Sequence, residues 1–110
     1  MSVSFDPKFI KFSAGVADFL TADLSTITFS WDQLPVGSNQ ITVDSNATWT
    51  CAFDGNAYFT VDISGGTGDD TVTVSCIVNN NLGVDIVDYL RFFINAVEYD
   101  SVTITQTLEP

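Results

Sequence analysis

The chain has 110 residues, enough for one domain with a single core, and its 45% hydrophobic content excludes a disordered polypeptide. Fourteen acidic residues against three basic ones give a formal net charge of −11, which excludes a binder that tracks nucleic-acid phosphates with clustered Lys and Arg. No run of about 18 apolar residues occurs, so no membrane-inserted helix is expected, and a chain without histidine lacks the usual general base and the usual zinc ligand.

Residues 1–25 differ from the rest. Phe5, Lys8, Phe9, Lys11 and Phe12 form an apolar stripe carrying two of the three cations, suited to docking on an acidic or mixed protein surface or to serving as a first strand. Val16, Phe19, Leu20 and Leu24 then recur near helical spacing behind Ser13, which predicts a short capped helix. The start, MSVSFDPKFIKF, lacks the basic opening and apolar block of a secretory leader.

From Thr26 onward side chains alternate with period two. Ile27, Phe29 and Trp31 share a face, as do Ile41 and Val43, and then Trp49, Cys51 and Phe53. Turn signals at Leu34-Pro35-Val36-Gly37, Asp44-Ser45-Asn46 and Asp54-Gly55-Asn56 separate these runs. Phe59, Val61 and Ile63 make the next inward row, and Val72, Val74, Cys76 and Val78 another. The Gly65-Gly66-Thr67-Gly68-Asp69-Asp70 stretch between them reads as a hairpin turn or sheet corner. After the polar loop Asn79–Gly83, a strand spans Ile86–Asn95, and Val102, Ile104 and Gln106 close the chain. Short strands at spacings of about 8 to 12 residues predict an all-β fold, a two-sheet antiparallel β-sandwich over residues 26–110 with residues 1–25 as an arm or first strand.

Within that frame, inward Leu90, Phe92 and Ile94 leave Tyr89, Arg91 and Phe93 pointing outward together, as a glycan platform, a subunit interface, or a surface covered by the chain's own arm. Trp31 and Trp49 fall in phase with aliphatic neighbours and read as core. Cys51 and Cys76 lie in inward rows and read as buried free thiols, with a disulfide as the other reading. Asp62, Asp69 and Asp70 around the glycine stretch offer hard oxygens without the spacing of a calcium loop, so they read as a solvated acidic turn. No pairing of residues marks a catalytic group, and neither an enzyme, a metal nor a cofactor is expected.

Several of these segments resemble the BACON-type domain (Bacteroidetes-associated carbohydrate-binding often N-terminal). Ile41-Thr42-Val43-Asp44-Ser45-Asn46-Ala47-Thr48-Trp49 is similar to its opening strand and tryptophan. Ser64–Gly68 followed by Thr71–Ser75 and the asparagines 79–81 is similar to its middle, and Val102–Gln106 to its closing strand. The likeness covers roughly residues 26–107. It departs where the second family tryptophan is replaced by Tyr58 or Phe59, and where Arg91 lies inside a strand rather than before one. The resemblance implies an immunoglobulin-like sandwich without enzymatic activity. That family occurs beside glycoside hydrolases and proteases in secreted proteins of gut bacteria, with carbohydrate or mucin binding proposed for it, and also in tailed phages of those bacteria. A module opening on its own Met without an export signal is expected in the phage setting. There it would be made in the host cytoplasm and displayed on the virion surface as a decoration (auxiliary capsid) protein, its partner the major capsid protein or another virion subunit. The alternative is an extracellular or cell-surface module that tethers an enzyme or virion to a glycan.

Overall fold

A computed structural model describes residues 16–55 and 57–110. Ten strands and no helix occur among them: β1 (Leu20–Ala22), β2 (Thr26–Phe29), β3 (Pro35–Val36), β4 (Gln40–Ser45), β5 (Thr48–Phe53), β6 (Phe59–Val61), β7 (Gly65–Thr67), β8 (Asp70–Cys76), β9 (Ile86–Ile94) and β10 (Val97–Gln106). They form a four-stranded sheet, β1-β4-β8-β6, and a six-stranded sheet, β3-β2-β10-β9-β5-β7. Ile41, Val43, Val72 and Val74 from the first sheet meet Trp49, Leu90, Phe92, Val102 and Ile104 from the second, all essentially inaccessible to solvent. The Trp49 and Phe92 rings lie 5.8 Å apart at a tilt, and Phe59 packs within 6.1 Å of both Phe29 and Phe53. Each such buried side chain contributes about 1.5–3 kcal/mol.

The period-two rows predict these strands because a strand turns successive side chains to opposite faces. β4 runs exposed and buried in strict alternation, as does most of β5. Four expectations need correction. The segment 16–24 is not helical: Leu20–Ala22 pairs with β4, Leu20 opposite Ser45, and of the expected helical stripe Leu20 alone lies in this edge strand, while Val16, Phe19 and Leu24 fall outside it. Burial of Leu20 between two sheets outweighs a spacing that short helices and strands share. The sheets are not wholly antiparallel, because β2 runs parallel to β10, Ile27 opposite Ile104. Trp31 lies beyond the end of β2 and is only half-buried. Finally, of the two readings of the glycine stretch, the sheet corner holds and the hairpin turn does not. β6 and β8 do pair, Phe59 opposite Cys76, but Gly65–Thr67 crosses to the other sheet as β7 and pairs with β5. A Cβ on Gly65 would lie 2.7 Å from the Trp49 carbonyl oxygen, so only glycine lets β7 approach β5 this closely.

β9 and β10 form a hairpin whose two turn residues, Asn95 and Ala96, have φ of 51° and 64°. That mirror-image turn matches the natural strand twist. At the other end of the sandwich, buried amides tie three segments together. Asn80 donates from Nδ2 to the carbonyls of Val84, Gln106 and Thr107, and its backbone N–H donates to Trp31 O at 2.7 Å. Gln106 Nε2 donates to Trp31 O and Val78 O. The β2–β3 turn, the β8–β9 loop and the C-terminal residues are thereby fixed to one another.

Replacing Asn80 with Ala strips the donors from three carbonyls. It is expected to cost about 2–3 kcal/mol in chemical denaturation, whereas Asn81→Ala, at an exposed position, should leave the midpoint nearly unchanged. Equal effects of the two substitutions would contradict the buried network.

Candidate functional site

β9 lies between β10 and β5 in the six-stranded sheet. Its Ile86, Asp88, Leu90, Phe92 and Ile94 are buried, so Val87, Tyr89, Arg91 and Phe93 stand on the outer face, as the sequence predicts for the last three. Tyr89 is 41% exposed, while Arg91 and Phe93 are half-buried among their neighbours. Those neighbours are small: Thr50 and Ala52 on β5 sit opposite Phe93 and Arg91, and Ser101 and Thr103 on β10 sit opposite Arg91 and Tyr89. Thr26 and Thr28 on β2 extend the surface beside Thr103 and Thr105. The result is a threonine-rich platform with two aromatic rings and a guanidinium in its middle.

Arg91 holds the platform in shape. Its Nε donates to Asp54 Oδ1 at 2.8 Å and its Nη2 to Asp54 Oδ2 at 2.9 Å, a bidentate pair. Nη1 donates to both Glu98 carboxylate oxygens at 3.2 Å, and Cζ lies 5.4 Å from the Tyr89 ring centroid. An isolated surface ion pair contributes little, but a planar fork gripped from two sides and stacked on a ring fixes orientation. The Arg91 hydrogen bonds hold the Asp54 carboxyl below its ordinary value, and Asp54, then Glu98, hold the guanidinium proton more tightly than usual. Arg91 is the only cation among the described residues.

Two open hollows flank this locked centre. One, about 380 Å³, is lined by Asp54, Gly55, Tyr58, Val87, Asp88 and Tyr89. The other, about 460 Å³, is lined by Thr50, Cys51, Ala52, Ser64, Phe93 and Ala96. The two carboxylates of the first hollow are both engaged, Asp54 with Arg91 and Asp88 as acceptor from the Gly55 and Tyr89 N–H groups. The surface can stack flat groups on its rings and bond them through hydroxyls; its carboxylates are occupied in structure.

Other residues singled out in the sequence fall elsewhere. Phe5, Lys8, Phe9, Lys11 and Phe12 lie outside the described residues. Cys51 and Cys76 are free thiols on different sheets, Cys51 buried and Cys76 half-buried. Burial pushes each thiol up to about 11, with Asp62 adding to the effect on Cys51, so neither is a nucleophile at neutral pH. Asp62 accepts from the Ile63 and Thr73 N–H groups, Asp69 from Ser45 and Asp70 from Thr71. No cluster of three or more potential metal ligands occurs among the described residues. A shared hydrogen bond with Asp69 raises the Asp44 carboxyl. Trp49 donates from Nε1 to Gly68 O at 2.9 Å inside the core. Sequence reasoning missed Asp54 and Glu98 as partners of Arg91. Both follow from strand register, since Ala52 pairs with Arg91 and a two-residue turn brings Glu98 opposite Phe93.

Neither a family model nor a curated protein sequence matches the chain. Among solved structures, it is similar to a Bacteroides ovatus GH5 xyloglucanase in complex with a XXXG heptasaccharide, with a TM-score of 0.66 and 14% identity. That match covers 82% of this chain and 19% of the enzyme, so the chain spans about a fifth of the enzyme's length. It is also similar to WR4, a C. elegans member of the MSP family, with a TM-score of 0.53 and 8% identity over 84% of this chain and 100% of that one. At these identities the likenesses concern the fold, a β-sandwich.

The folded-state depression of Asp54 fixes the sign of its pH dependence. Its contribution to stability is present above 3.8, the ordinary value, and is lost as pH falls through the lower folded value. Asp44, raised, has the opposite sign, its contribution being lost as pH rises through the folded value. In a carboxyl carbon NMR titration, Arg91→Gln is expected to return the Asp54 midpoint upward toward 3.8; an unmoved midpoint would contradict the bidentate pair.

Proposed function

We propose that the protein is a non-catalytic docking module, an immunoglobulin-like sandwich of BACON type whose outer six-stranded face binds another macromolecule. The observation that carries this reading is the Tyr89–Arg91–Phe93 row, preorganised by Asp54 and Glu98 and surrounded by threonines. The strand order supports the immunoglobulin-like assignment. β1 pairs with β4 in one sheet and the chain then crosses to lay β2 parallel to β10 in the other. The BACON assignment draws on the segments Ile41–Trp49, Ser64–Ser75 and Val102–Gln106. A fold shared with about a fifth of a glycoside hydrolase accords with a family found beside such enzymes.

The setting we favour is the surface of a tailed-phage particle, where the module is an auxiliary subunit seated on the major capsid protein or another virion subunit. A flat face with rings at its centre and hydroxyls around them fits a protein partner, in which aromatic anchors dominate binding. The strongly acidic remainder keeps such a subunit soluble and directs its other faces to solvent. A carbohydrate-binding role is the second reading. It is favoured by the exposed Tyr89 ring beside a guanidinium and by two hollows of small-ligand size.

Co-sedimentation with assembled particles and retention on mucin or polysaccharide affinity gels separate the two. The capsid reading predicts a fixed stoichiometry on particles that Tyr89→Ala with Phe93→Ala lowers at least about tenfold, the loss of two aromatic anchors. Gel retention abolished by the same pair, without particle association, would replace it with the glycan reading. Binding of either kind unaffected by the double substitution would remove the platform.

A further inference from the structure

The end of the sandwich where β2, β8 and β10 finish is apolar outside and amide-linked within. Leu34 on the β2–β3 turn, Val78, Leu82 and Val84 on the β8–β9 loop, and Leu108 after β10 are each between 44% and 62% exposed. Single exposed aliphatic residues are ordinary. Five of them on three segments held together by Asn80 and Gln106 make a preformed cap, and such patches are contact sites. Three carboxylates rim it, all bonded to neutral donors. Asp32 accepts from the Ser30 hydroxyl, Asp85 from Leu108 N at 3.0 Å and Glu109 from Asn81 Nδ2 at 2.9 Å.

That chemistry restricts the occupant. Two caps face to face would set carboxylates against carboxylates, so the complementary surface is apolar and cationic. Arg91, committed to Asp54 and Glu98 on the outer sheet face, cannot supply it. The chain's two other cations, Lys8 and Lys11, stand among Phe5, Phe9 and Phe12 in one segment. That segment leads into Val16–Phe19, which is fastened at the opposite end of the sandwich: Phe19 N donates to Asn46 Oδ1 at 2.9 Å, and Asn46 Nδ2 to Ala17 O at 3.0 Å.

Distance then decides between the chain's own cap and another's. The ten residues of β10 separate the two ends by roughly 30 Å. Phe12, four residues before Val16, reaches at most about 14 Å even fully extended, and Phe9 about 25 Å. Phe5, at about 40 Å, could reach the chain's own cap, but Phe9 and Phe12 cannot, whereas a second copy stacked end to end presents its cap to all three. We infer that the Phe5–Phe12 segment of one copy docks on the acid-rimmed apolar cap of a second copy, a head-to-tail contact that propagates along a row of subunits. It uses a surface distinct from the Tyr89–Phe93 platform and stands or falls separately.

Sedimentation velocity of the full chain tests it. Association is expected to grow with protein concentration and to weaken with salt, as charge-assisted contacts do. Phe9→Asp with Phe12→Asp, and separately Leu34→Asp with Val84→Asp, should each yield monomer. An equimolar mixture of the two variants, with one intact segment and one intact cap between them, should yield a dimer and nothing larger. A synthetic peptide of residues 1–15 added to the unaltered chain should dissolve the oligomers, a readout independent of how the variants fold. A full chain that stays monomeric, a segment variant that still associates, or oligomers indifferent to the peptide would each overturn the inference.

Discussion

The alternation of side chains along β9 is the constraint from which the rest follows. Leu90 and Phe92 are fully buried, with Trp49 against Phe92 and the neighbouring strands β10 and β5 locked to both edges. A slip of one residue would drive Arg91 into the core and expose Phe92, a loss no surface interaction could offset. The core therefore dictates that Tyr89, Arg91 and Phe93 share the outer face. Glu98 lies on β10 and Asp54 directly follows β5, the strands that the same register brings alongside, so the geometry of the platform is inherited from burial beneath it.

The molecule divides into a face and two ends. The six-stranded sheet supplies rigidity under the platform, since a strand in mid-sheet cannot move without breaking two ladders of hydrogen bonds. At one end, Asn46 fastens the incoming chain beside β1. At the other, Asn80 and Gln106 satisfy carbonyls of three loops, which lets those loops carry exposed aliphatic residues without collapsing. Polar side chains buried at an end thus do for loops what apolar ones do for strands.

Much of the fold was legible because strands with one dry face announce themselves. Ile41 and Val43, Val72 and Val74, and Val102 and Ile104 alternate with polar residues, Leu90 and Phe92 flank Arg91, and all proved buried. What could not be read was pairing at a distance. Leu20 suits a helix or a strand, and only contact with β4 decides for the strand. Nothing local to Ile27 says that its neighbour is β10 running in the same direction. Gly65 and Gly66 look like turn glycines, yet their need arises from Trp49 on another strand. The outward row of the platform was legible from β9 alone, whereas its clasp by Asp54 and Glu98 required knowing what lay on either side. The amides of Asn80 and Gln106 were invisible for the same reason: in sequence each is one polar residue near a loop.

Solvent paramagnetic relaxation of the aromatic ring protons tests the central register most directly. With a soluble gadolinium agent, the rings of Tyr89 and Phe93 should relax strongly while those of Phe92 and Trp49 stay protected. Strong relaxation of Phe92 together with protection of Tyr89 and Phe93 would mean that β9 presents its other face, and the account of the platform would be wrong.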